Sequence, residues 1–162
     1  MTPIDSTIRY RLLAAEDIPS VCELVERVFD RFIAPEYSNE GIREFQRYLK
    51  PQAYWERFHA GHFTLVAETG DRIVGMIEVR GNAHVSLLFV DPLFYRQGIA
   101  RELFRRAVKI CRKKNPGLTE ITVNSSTFAE PLYEKRGFHR AGEKQVRNGI
   151  GFIPMLLALV EK

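Results

Sequence analysis

The sequence predicts a mixed α/β fold: a mostly antiparallel central sheet of about seven strands, flanked by helices, with one parallel strand pair. Three observations carry this prediction. Phe63 to Glu68, Arg72 to Arg80 and His84 to Val90 are strand-like runs in succession, joined at Thr69-Gly-Asp and Gly81-Asn82, which makes an antiparallel meander. The third run leads through a short loop and an amphipathic helix from Gly98 to another strand, Thr119 to Asn124. A strand, a crossover helix and a strand set the two strands parallel with a right-handed crossover. Two last runs, His139 to Val146 and Ile150 to Val160, flank Asn148-Gly149, the dipeptide a tight hairpin turn favours.

The remaining elements follow in order. Thr7 to Leu13 alternates Ile8, Tyr10 and Leu12 against Thr7, Arg9 and Arg11, a half-buried strand. After Ala14-Ala-Glu-Asp-Ile-Pro, the helical spacing of Val21, Leu24, Val25, Val28 and Phe29 predicts a helix with one apolar face. Pro35 ends it, because proline disfavours helix in the residue before it. Ser38-Asn-Glu-Gly caps a second helix with Ile42, Phe45, Tyr48 and Leu49 inward, and Pro51 starts a short third one to Phe58. Asn115-Pro-Gly stops the helix that Gly98 opens. Ser125 or Ser126 caps a helix from about Phe128 to Lys135, with Gly137 just past its end.

At 162 residues, with 45% hydrophobic and 27% charged residues, the chain is read as one globular domain over residues 1–162, and disordered or fibrous classes are excluded. A net charge of +4 suits an anionic ligand without naming it. Met1 to Arg9 has no apolar core of a secretory signal, and Pro154 interrupts the longest apolar run, so no membrane segment is expected. Cys22 and Cys111 fall on apolar helix faces without metal-ligand spacing. They read as reduced core residues of a cytoplasmic protein, and no metal is expected.

The stretch Leu87 to Phe104 concentrates the chemistry. An apolar strand stops at Asp91-Pro92, and a glycine opens a helix after a short loop. The first N–H groups of a helix lack internal partners and sit at its positive dipole end, and glycine lets a phosphate approach the main chain. Gln97, Gly98, Ile99 and Ala100 are therefore expected to present N–H groups to a nucleotide-bearing cofactor.

Two motifs then identify a family. Val90-Asp-Pro92 with Tyr95-Arg-Gln-Gly98-Ile-Ala100, followed by Ala129-Glu-Pro-Leu-Tyr133-Glu-Lys-Arg-Gly137-Phe138, resembles GNAT-type N-acetyltransferases, in the family's order and on the expected elements. The ending Asn148 to Met155 is similar to an uncharacterised bacterial branch of that superfamily. Two positions depart from the pattern. Tyr95 stands where relatives carry Arg or Gln, with Arg96 adjacent to supply the charge. Phe128 stands where relatives often carry a pantetheine-binding Asn, with Asn124 as a substitute amide.

The resemblance implies the acyl-CoA N-acyltransferase fold, acetyl-CoA as cosubstrate and an amine acceptor. Leu88, Phe89 and Val90 would pair with the pantetheine arm as an added strand does. Gln97 to Arg101 would hold the diphosphate, with Arg96 or Arg101 meeting its charge. Tyr133 is implied as the acid that protonates the leaving thiolate, and the amide of Phe89 or Val90 as the donor to the developing oxyanion. The base stays open: Glu78, an acid among apolar strand neighbours; His84, at the start of the next strand; or Ser126 through water. The amine attacks the thioester directly, as neither cysteine has an activating context. Partners reduce to acetyl-CoA and an amine, in a monomer or homodimer. Two rival readings remain: a non-catalytic acyl-CoA-binding or sensing module on the same fold, and a nucleic-acid binder using the basic face of Arg101, Arg105, Arg106, Lys109, Arg112, Lys113 and Lys114. No aromatic interleaving supports the latter.

Overall fold

The computed structural model describes residues 7–160. The polar terminus on which the absence of a signal was read lies largely outside them. β1 (Arg9–Leu12) is followed by three helices, α1 (Ile18–Phe32), α2 (Asn39–Leu49) and α3 (Pro51–His59). The meander β2 (Phe63–Thr69), β3 (Arg72–Arg80) and β4 (His84–Val90) comes next. Then follow α4 (Ile99–Lys114), β5 (Glu120–Ser125), α5 (Glu130–Lys135), β6 (His139–Arg140), β7 (Gln145–Arg147) and β8 (Ile150–Ala158).

The local signals act as chemistry requires. Ser38 Oγ accepts the Gly41 N–H at 3.1 Å and caps α2. Asn148 and Gly149 both take positive φ, 53° and 80°, as a two-residue hairpin turn demands. α5 is shorter than expected and starts at Glu130 instead of near Phe128. Ser126 Oγ accepts the Ala129 N–H at 3.1 Å, so residues 126–129 form a capped turn ahead of the helix.

The sheet has eight strands in the order β1-β2-β3-β4-β5-β8-β6, with β7 also pairing to β8. The expected strand from His139 to Val146 is two short ones because of its neighbour. Pro154 in β8 has no N–H to donate, which breaks a ladder. The chain detours there through residues 141–144, keeping one bond from Ala141 N–H to the Pro154 carbonyl at 2.8 Å. Both faces of the sheet are covered. α1, α2 and α3 pack on one face, with Val21, Leu24, Val25 and Phe29 of α1, Leu49 of α2 and Tyr54 of α3 in one cluster with Val66, Met76, Leu87 and Phe89. α4 and α5 cover the other through Leu103, Ala107, Cys111 and Tyr133 against Ile77, Val85, Ile121 and Val123. Both cysteines are free and buried.

One irregularity positions everything that follows. β4 and β5 pair in parallel only at His84–Thr122 and Val85–Val123. Beyond Val85 the two strands diverge, while β4 stays paired to β3 as far as Val90. The sheet is forked at its centre.

Candidate active site

The fork leaves one edge of β4 unpaired. Which backbone groups face it follows from the strand's two-residue alternation. The Asp91 N–H donates to the Val74 carbonyl of β3 at 2.8 Å, and the Phe89 carbonyl also lies toward β3, beside Gly75. Leu88 and Val90 therefore turn their N–H and C=O groups to the open edge. Of the two expected oxyanion donors, Val90 keeps a free amide, whereas the Phe89 amide belongs to the β3 ladder.

The open edge ends where Asp91 fixes the loop. Asp91 is 2% exposed; its Oδ1 accepts the Leu93 N–H at 3.0 Å, and its Oδ2 accepts Arg72 at 2.7 Å and Arg27 at 2.9 Å. The backbone then turns through positive φ at Arg96, 65°, and at Gly98, 77°. That conformation costs a side-chain-bearing residue about 1–2 kcal/mol, so glycine suits the helix start. No side chain caps α4. Its first N–H groups remain turned outward beneath the guanidinium of Arg101, which curls back to 3.4 Å from the place a Gly98 Cβ would take.

A cavity of about 420 Å³ fills the fork. Of the sequence-predicted residues, Leu88, Phe89, Val90, Arg96, Gly98, Ile99, Ala100, Arg101 and Tyr133 line it. Gln97 and Asn124 are exposed and do not. Asn124 lies in β5 opposite Pro154. Phe128 itself lines the cavity and stacks on Phe32 with centroids 5.0 Å apart.

Sequence reasoning missed further lining residues. Val28 comes from α1 and Ile33 from the residue just past its end, and nothing in their local pattern distinguishes them from other core positions. Lys135 and Arg136 had a signal, since they stand beside Tyr133 in its motif. Arg96, Arg101, Lys135 and Arg136 line the cavity without an ion pair to any described residue, and no Asp or Glu lines it. The site is therefore cationic and unneutralised, which suits a polyanion.

Tyr133 enters from α5. It is 4% exposed, held edge-on to Phe138 at 5.3 Å, and its hydroxyl has no hydrogen-bond partner among the described residues. Burial pushes the phenol well above its usual value, so it stays protonated and able to donate.

The candidate bases lie elsewhere. Glu78 is fully buried; its Oε2 accepts Arg57 Nε at 2.9 Å and meets His62 Nδ1 at 2.8 Å, and its Oε1 accepts Arg57 Nη2 at 3.2 Å. His84 sits at the closed end of the fork with Nδ1 2.7 Å from Thr122 Oγ1. Burial, aided by the charge of Arg80, pushes it down to about 4, so its ring is neutral at physiological pH. Neither residue lines the cavity. Burial also raises both thiols, Cys22 and Cys111, to about 11, far from nucleophilic thiolates. Among the described residues no group of three His, Cys, Asp or Glu side chains is placed to hold a metal, and no helix is long and apolar enough to cross a membrane.

Known proteins share this fold. The uncharacterized N-acetyltransferase YafP of Escherichia coli K12 is 26% identical over 141 residues, 87% of each chain. A GCN5-related N-acetyltransferase structure from Rhodopseudomonas palustris matches with a TM-score of 0.81 at 21% identity, over 98% of this chain and 100% of that one. The PaiA N-acetyltransferase of Thermoplasma acidophilum, solved with coenzyme A, matches at 0.77 and 22% identity, over 94% and 99%. These likenesses establish the fold. Residues 33–159 fit the model of the acetyltransferase (GNAT) domain, well over half of the chain, and to that family this protein belongs.

Proposed function

We propose that the protein moves an acetyl group from acetyl-CoA to a primary amine of a small molecule or of a peptide or protein, by direct attack on the thioester. The observation that carries this reading is the unpaired edge of β4, which faces a buried, unpartnered Tyr133 across a cavity running to the start of α4. Coenzyme A fits what that cavity lacks. Its pantetheine arm has amides for the free groups of Leu88 and Val90, and its phosphates answer the α4 amides and the unpaired Arg96, Arg101, Lys135 and Arg136. The coenzyme A held by the PaiA protein supports the same choice.

In this reading the Val90 amide donates to the thioester oxygen as negative charge develops there. Tyr133 gives its proton to the sulfur as the C–S bond breaks, the role its raised, protonated phenol is suited to. An alkyl amine with a pKa of roughly 10 must first lose a proton. The side chains of the cavity do not supply a carboxylate for this. His84, neutral at the closed end of the fork, serves as acceptor through water in the tautomer whose Nδ1–H donates to Thr122, because Glu78 is already engaged by Arg57 and His62. The chain acts as one domain over residues 1–162, in the cytoplasm, as a monomer or homodimer.

The decisive experiment measures acetyl-CoA consumption against a panel of amines, with thermal-shift controls using acetyl-CoA and CoA. Stabilisation by both ligands and amine-dependent turnover are expected. Stabilisation without turnover on any amine would favour the acyl-CoA-sensing alternative, and no stabilisation by either ligand would remove the cofactor assignment.

A further inference from the structure

The cavity passes through the fork from one face of the sheet to the other, and its two sides differ in chemistry. On the α4/α5 side it is lined by Leu88, Val90, Ile99 and Tyr133, all packed with the core beneath those helices. The cations Arg101 and Lys135 are carried by the same two helices. On the α1 side it is lined by Val28, Ile33 and Phe89, which belong to the other core, and by Tyr95 and Phe128. The last two rings gather around Phe32 of α1: Phe128 stacks on it at 5.0 Å, 18° from parallel, and Tyr95 tilts against it at 6.4 Å. Phe128 is 44% exposed and Tyr95 41%, and neither belongs to a core cluster. Single exposed apolar side chains need no explanation, but two open rings lining one cavity mark a surface kept for a ligand.

The reaction leaves this aromatic side to the acceptor. A pantetheine arm paired to β4 as an added strand lies in the plane of the sheet, and its phosphates are drawn to the start of α4 and the cations beside it. Tyr133, the acid for the leaving sulfur, closes the α4/α5 face. The face open to an incoming amine is then the α1 face, with Phe89, Tyr95 and Phe128 on it. Charge narrows the choice further. No Asp or Glu lines the cavity, and the Arg31 guanidinium lies 4.8 Å over the Phe32 ring. A second ammonium group on the acceptor would meet like charge and no carboxylate, whereas a single amine is favoured in the neutral form that attacks.

We propose that the acceptor is a monoamine bearing an aromatic ring, which lies against Phe128 and Tyr95 while Val28, Ile33 and Phe89 enclose its edge. The assignment rests on the acetyl-transfer reading above and names its substrate class. Aromatic rings gain from offset or edge-on contact beyond the area they bury, and the Phe32–Phe128 pair offers a ring already held in place. With the ring seated there, the amine reaches the thioester carbon from the α1 side. The N–C bond forms as the C–S bond breaks, Tyr133 gives its proton to the sulfur, and the proton released by the amine returns through water to the phenolate. Polyamines are rejected by the same cavity.

The test measures turnover of 2-phenylethylamine, butylamine and spermidine with acetyl-CoA, by wild type, Phe128→Leu and Tyr95→Leu. Wild type is expected to prefer 2-phenylethylamine to butylamine by about tenfold or more in kcat/KM, from the added ring contact and burial, and to use spermidine least. Both substituted positions are exposed, so the variants should keep the wild-type Tm. Each replaces a ring by an aliphatic side chain and should cut the aryl preference by about three- to tenfold, through KM for the amine. Wild type that treats the two monoamines alike, or prefers spermidine, overturns the proposal. So does a raised KM for acetyl-CoA with the aryl preference intact, which would give the rings to the cofactor arm. Better use of hexanoyl-CoA than of acetyl-CoA, without an aryl preference, would overturn it in favour of a pocket for the donor's acyl chain. Turnover of butylamine without a preference leaves the acetyl-transfer reading standing, whereas no turnover of any of the three amines, or of the wider panel, removes that reading and this one together.

Discussion

The cluster around Glu78 and the cavity above Gly98 use the same kinds of side chain in opposite ways. At Glu78 every charge is answered from within the fold. Arg57 and His62 hold both carboxylate oxygens, Arg57 Nη1 donates to the Tyr48 carbonyl at 2.6 Å, and the guanidinium lies 3.6 Å over the Tyr48 ring. In the cavity Arg96, Arg101, Lys135 and Arg136 have no carboxylate partner among the described residues, nor does the Tyr133 hydroxyl have a partner among them. The lesson is one of accounting by contact. A buried polar group whose partners are all protein atoms serves stability, and one left without them in a cavity is, on the proposed reading, held ready for a ligand.

The largest test of this contrast is Glu78→Ala. Removing one member of a buried ion-paired cluster leaves Arg57 uncompensated and should cost about 3–5 kcal/mol of stability. The folded fraction should keep its kcat. Chemical denaturation and kinetics on the same sample decide it: a stable variant with collapsed kcat would return Glu78 to the role of base. Tyr133→Phe is the mirror experiment. It should lower kcat by about a hundredfold or more, at the lower end of general acid catalysis, with little change in acetyl-CoA affinity or melting temperature. Unchanged turnover would make Tyr133 a packing residue.

Smaller effects sharpen the cavity's half of the comparison. Arg101→Ala and Lys135→Ala should each raise KM for acetyl-CoA by about three- to tenfold, more at low salt than at high salt, as expected of exposed charges meeting phosphates. Loss of affinity for acetyl-pantetheine as well, which lacks the nucleotide phosphates, would contradict that role. The smallest effect concerns His84. Its folded pKa, about 4, is below the unfolded value near 6.5, so the unfolded chain binds the extra proton between those limits. Its contribution to stability is complete above about pH 6.5 and is lost as pH falls toward 4. Melting curves of wild type and His84→Gln should converge over that window by a few degrees, on a scale of about 2–4 °C per kcal/mol. Parallel curves would show that burial of His84 does not govern the acid limb.

Much of the site was legible because it is local. Gly98 at a helix start, Val90-Asp91-Pro92 before it and Tyr133 four residues after Ala129 are contiguous features, and the elements they predict form. The harder part involved partners distant in sequence. Glu78 looks like an unusual acid on an apolar strand until Arg57, twenty-one residues earlier, folds over it. Val28 and Ile33 reach the cavity only because α1 crosses the sheet there. Asn124 and Gln97 have suitable chemistry in the sequence, but strand pairing and loop geometry leave both outside the cavity.

By itself, the sequence determined the order of strands and helices, the hairpin at Asn148-Gly149 and the glycine-opened helix, since hydrophobic periodicity and turn chemistry act within a few residues. Only the tertiary structure decided where β4 parts from β5. That depends on one residue of register at Ser86 and on pairings between strands more than thirty residues apart, which local propensity does not encode. The fork decides in turn which amides are free, which cations are unpaired and which acids are already engaged.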